Sequence, residues 1–223
     1  MRCWPMVLPS HRDIVAAHCV PHLGRAVRAG EVLLALARAE GPFGPAMAVA
    51  LARGLVSARA AEREAATEAL LHLAGHGGLD AALLARELRV LIVAEPDRTT
   101  PPGDAHGLAV AEPHRRTMPP DDPDRLAEEL AGAGPAAAVA EVLAALGRAD
   151  AWHLAWAIAY DVVPAMLRLE RAPAGASALV AVAAEAAEAI GARADLPEVA
   201  AAAGRASDPS LRAEAVRLAR ATL

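Results

Sequence analysis

The sequence predicts an all-α protein: an antiparallel array of about ten helices, interrupted once by a proline-rich linker. Three observations carry that expectation. Apolar residues recur at i, i+3, i+4 and i+7, as in Ala66, Ala69, Leu70 and Leu73, and that spacing is one face of an α-helix. Hydrophobic residues make up 55% of the 223, yet aromatics only 2%, so the apolar content is chiefly Ala, Leu and Val. Alanine is the best helix former, and the sheet-favouring Ile, Thr, Tyr and Phe are scarce. Third, the periodic stretches are separated by a few residues rich in Gly, Pro and Asp, short enough to turn one helix back against the next.

In chain order, Ser10 is placed to cap a helix running to about Arg28, which Pro21 kinks or splits. Gly30 and Gly41 bracket a short helix over 31–39 with Val32, Leu33, Leu36 and Ala37 as its stripe. Residues 43–58 form a third, on Met47, Ala50, Leu51 and Leu55. The clearest unit is 57–78, where Glu64 and Glu68 point away from the apolar stripe and Gly75, Gly77 and Gly78 stop the helix. Asp80 caps a fifth helix through Leu84, Leu88 and Leu91. Residues 95–123 hold seven prolines and two glycines that no regular helix absorbs, so they read as a linker or disordered loop. It divides N-terminal repeats (1–94) from C-terminal repeats (124–223) that continue the same stack. The latter begin with helices over 124–131 and 136–146. Asp150 then caps 151–169, which Pro164 kinks, and helices over 177–190, 196–203 and 209–223 follow.

Composition narrows the class. No Lys, Asn or Gln occurs, so all 22 basic residues are arginine. Lysine and asparagine have AT-rich codons, so this preference points to a GC-rich bacterial genome rather than to phosphate recognition. Net charge is −5 with no strongly basic segment, which disfavours nucleic acid as a general partner. Cys3 and Cys19 alone make no disulfide framework. The N-terminus has no signal-peptide core, and no stretch reaches the roughly 20 apolar residues that span a bilayer. A cytoplasmic protein without membrane partners is the expectation.

The segment from Arg63, reading R-x-x-A-x-x-A-L-x-x-L, returns near the C-terminus from Asp208-Pro209-Ser210-Leu211-Arg212 through Ala215, Leu218 and Ala219. Both copies resemble the second helix of a HEAT-type repeat, over residues 43–75 and 196–223. The resemblance implies a HEAT-like α-solenoid, a curved rod whose faces bind other proteins. The segments AEREAATEAL and AWHLAWAI also resemble an alanine-rich actinobacterial family of helical-repeat proteins of unknown function, whose longer members carry further helices ahead of this region. That likeness transfers no catalytic residue.

Candidate chemistry is sparse. His72 and His76 stand at i and i+4, as zinc-binding helices arrange them, but Leu73 occupies the place of the glutamate such motifs carry, and no third ligand is evident. His18, Cys19 and His22 form a less regular cluster around Pro21. Trp152, Trp156 and Tyr160 share one helix face at i, i+4 and i+8, with Asp161 beside them. The combination resembles the pocket of HEAT-like DNA glycosylases, whereas its plain role is to fill gaps that Ala and Leu cannot. Phosphate loops, a G-x-S-x-G elbow and paired catalytic carboxylates are absent from the sequence.

These features lead to a non-enzymatic scaffold that binds another protein and needs no cofactor or metal, with a groove around Trp152, Trp156, Tyr160 and Asp161. The alternative is a nucleic-acid-acting enzyme of the glycosylase type using that same helix. Trp4, Met6 and Leu8, ahead of a first helix bearing Ile14, Val15, Cys19 and Val20, offer a docking end for further helices or for self-association.

Overall fold

The computed structural model describes residues 11–23, 28–39, 41–94 and 134–223. Trp4, Met6 and Leu8, the Ser10 cap, the 95–123 linker and the helix expected over 124–131 lie outside those residues. Within them the chain forms ten α-helices and no strand. They are α1 (His11–Cys19), α2 (Ala29–Arg38), α3 (Pro45–Leu55), α4 (Ala60–Gly75), α5 (Ala81–Val93), α6 (Gly134–Arg148), α7 (Trp152–Leu167), α8 (Ala176–Ile190), α9 (Pro197–Arg205) and α10 (Pro209–Ala221).

The packing order follows from stripes that cannot be buried alone. α1 packs on α3, α3 on α5 and α5 on α7, while α2 packs on α4, α6 on α8 and α8 on α10. One apolar core joins both sides of the 95–133 interval, running from Ala16 and Leu33 through Leu70, Leu88, Leu143 and Ile158 to Leu179 and Leu218. Because alanine lines so much of it, backbones approach closely. A Cβ on Gly30 would lie 3.0 Å from Ala65 Cβ, and one on Gly54 2.9 Å from Ala66 Cβ. Gly30 therefore does not bracket α2 as the sequence suggested. It sits inside the helix, buried, where α2 crosses α4.

Helix ends account for most other differences. α4 stops at Gly77 as expected: the residue has φ +66°, and Gly78 N–H reaches back to the Leu73 carbonyl at 2.9 Å. Asp80 caps α5, its carboxylate accepting from the Ala82 and Leu83 amides. Asp150 does not cap α7. It occupies the left-handed position after α6 at φ 57°, where Ala151 N–H bonds the Leu146 carbonyl at 2.9 Å, and the N-cap of α7 is Ala151 with no side-chain bond. Asp tolerates that conformation better than most non-glycine residues, so it serves the turn instead of the cap. The first helix ends at Cys19, and Pro21 falls in a separate 3₁₀ turn, Val20–His22. α7 continues as a single helix through Pro164.

α1 is held differently from the others. Its buried residues are Arg12, Asp13 and Ala16, while Ile14 is 46% exposed. Asp13 Oδ1 accepts from the Met47 amide at 3.0 Å, neutralising the N-terminus of α3, and Arg12 donates to the Ala37 carbonyl at the end of α2. Burial lowers the Arg12 pKa. Gly44 leaves room for the arrangement, since a Cβ there would sit 2.5 Å from the Asp13 carboxyl. The apolar excess expected of α1 is thus partly covered by α3 as well as α2, and much of its buried face is charged.

Candidate interaction groove

α5 and α7 lie side by side and run the same way. Ala82, near the start of α5, meets Trp156, Ala157, Tyr160 and Asp161, near the start of α7. Val90, Val93 and Ala94, at the end of α5, meet Ala165, Arg168 and Leu169, at the end of α7. Their apolar stripes face inward: Leu84, Leu88 and Ile92 from α5, Ala155, Ile158 and Val162 from α7. What remains outside is a shallow seam with two grooves, about 420 Å³ at the aromatic end and about 510 Å³ at the valine end.

The aromatic stripe divides. Trp156 and Tyr160 stay together with ring centroids 5.9 Å apart and planes tilted by 57°, and Asp161 joins them in the groove. Trp152 does not line it. Its ring lies over Gly147 of α6, so closely that a Cβ on that glycine would collide with the indole. The structure therefore brings three of the four predicted residues together and gives the fourth a packing role. Arg193 and Ala194, from the turn after α8, complete the groove. Neither has a motif or a periodic position, so no sequence signal marks them.

A larger cleft of about 660 Å³ lies between the end of α7 and the α9–α10 turn. At its edge Arg168 Nε donates to Glu198 Oε1 at 3.0 Å, and that hydrogen bond holds the Glu198 carboxyl below its ordinary pKa. The cleft places no histidine or cysteine beside these groups.

The other histidine pairs are local. His76 Nδ1–H donates to the His72 carbonyl at 2.8 Å and the two rings sit 4.2 Å apart, while His18 Nδ1–H donates to the Ile14 carbonyl at 3.0 Å. Burial pushes the Cys19 thiol up, away from the thiolate that a metal or an electrophile needs. Among the described residues no three His, Cys, Asp or Glu come close enough to hold a metal ion, and no helix is long and apolar enough to cross a membrane.

No protein-family model, curated protein or solved structure matches this chain.

Proposed function

We propose that the protein is a HEAT-like α-solenoid whose outer faces bind another protein, without catalysis of its own. Support for the architecture comes from the packing of helices two apart among those described, in one run from α1 to α7 and another through α2 and α4 and then α6, α8 and α10. Two layers built this way leave long seams at the surface. The observation that carries the function is the α5–α7 seam. Val90 is 52% exposed and Val93 39% at the valine groove, and Tyr160 is 47% exposed at the aromatic groove of the same helix pair. Large apolar side chains exposed together mark an association site more often than isolated ones do.

Affinity purification from the organism that encodes the chain tests this reading. A partner protein retained by the wild type and released by Val90→Asp with Val93→Asp is the expected outcome. Recovery of the same proteins by both forms would overturn it.

One observation favours a second reading, a nucleic-acid-acting enzyme of the glycosylase type: Arg193 places a guanidinium beside Trp156, Tyr160 and Asp161. Salt-sensitive DNA binding, abolished by Trp156→Ala with the circular dichroism unchanged, would establish it over the first.

A further inference from the structure

We infer that the α5–α7 seam receives an acidic amphipathic helix from a partner protein; the inference rests on the interaction reading above and specifies its ligand. The seam is built from two parallel helices, and its apolar surface repeats by the helical turn. On α5, Ala82, Val90 and Val93 share one exposed face, and Trp156, Tyr160 and Ala165 of α7, with Leu169 just past its end, follow beside them. Residues 82–93 span roughly 17 Å at 1.5 Å per residue, about three turns. A helix laid along such a groove presents anchors at i, i+3 or i+4, and i+7, which is the spacing of the residues below it. A peptide adding as a β-strand would need a sheet edge, and the described residues contain none.

Charge selects the sign of that helix. Arg86 lies one turn from both Ala82 and Val90 on the exposed face of α5, Arg89 borders the valine groove, and Arg193 borders the aromatic one. None of the three has a carboxylate within ion-pair distance among the described residues, whereas Arg38, Arg168 and Arg217 are paired with Glu68, Glu198 and Glu188. Among the described residues Asp161 is the one carboxylate lining either groove. The chain as a whole carries −5, so a strip where unpaired guanidiniums outnumber acids is a local reversal suited to a ligand of negative charge. Nucleic acid would satisfy the arginines, but a phosphate backbone has no use for Val90 and Val93. The apolar floor between the charges is what favours a protein helix.

Panning the intact chain against a displayed library of helical peptides with acidic, neutral and basic polar faces tests the assignment. Acidic amphipathic peptides should be enriched. Their binding should weaken at least about tenfold in Arg86→Glu with Arg89→Glu and in Val90→Asp with Val93→Asp, with unchanged melting curves. A peptide whose acidic residues are replaced by lysine should bind the Arg86→Glu, Arg89→Glu variant better than the wild type, a reversal that a purely structural role cannot produce. Enrichment of neutral or basic peptides, no enrichment, or affinity that survives both double variants would overturn the proposal. So would duplex DNA that displaces the peptides and depends on the same arginines. A partner recovered from the native host and still held by the Arg86→Glu, Arg89→Glu variant would leave the interaction reading standing and remove this seam as its site.

Discussion

The two terminal helices of the described stack are fastened by opposite means. α10 lays an apolar stripe, Leu211, Ala215 and Leu218, into the core and places its charge at the border, where Arg217 Nε donates to Glu188 Oε1 at 2.9 Å and Glu185 lies within reach. α1 does the reverse: Arg12 is 7% exposed and Asp13 9%, and Ile14 is left half in water. At α10 the charges add to an attachment that burial already secures, and exposed pairs of that kind contribute little. At α1 the charges are much of the attachment, because each answers the orphan backbone groups at the end of another helix. Sequence composition hides the distinction, since both helices carry arginine and acid.

Truncation inside the α10 stripe gives the largest expected effect. Leu218→Ala should cost about 3 kcal/mol, through lost transfer energy and the cavity left behind, read as a shift in the denaturant midpoint at constant slope. Asp13→Ala should follow at about 2 kcal/mol, since it removes the charge-assisted hydrogen bond that satisfies the Met47 amide at the N-terminus of α3. If that substitution costs no more than a surface change, the contrast between the two ends collapses. Arg217→Ala should cost under about 1 kcal/mol, and high salt should remove most of the difference between it and the wild type.

A subtler test uses pH. The hydrogen bonds from Arg217 and Arg168 hold the carboxyls of Glu188 and Glu198 below their ordinary values. A depressed folded-state pKa contributes stability that is present above the ordinary carboxylate value and lost as pH falls through the folded one. The wild type should therefore lose melting temperature more steeply on acidification than Glu188→Gln with Glu198→Gln. Parallel pH curves for the two would mean that these pairs add nothing.

How far the sequence could be read follows the same division. Helices defined by an apolar stripe were legible: α3, α4, α5 and α8 lie close to where periodicity and their caps or glycines put them. What burial by charge produces was not. Ile14 and Val15 suggested an apolar face for α1, and nothing local showed that Arg12 and Asp13 would turn inward to meet helix ends 25 and 34 residues away. Gly30 read as a breaker because a glycine made for a helix crossing looks like one made for a turn. At the groove, the i, i+4 spacing found Trp156, Tyr160 and Asp161, but Ala82, Arg193 and Ala194 arrive from helices and turns remote in sequence, which no pattern along one helix reveals.

The seating of Trp152 over Gly147 separates the two indoles of α7 into different environments four residues apart. One looks into the α6–α7 contact, the other into the groove with Tyr160. With three tryptophans in the chain, replacing Trp4 by Phe leaves two intrinsic fluorophores with separate subjects. Emission from a Trp152→Phe form should respond to whatever enters the groove and from a Trp156→Phe form to the loosening of the stack, so occupancy and unfolding can each be watched without a label.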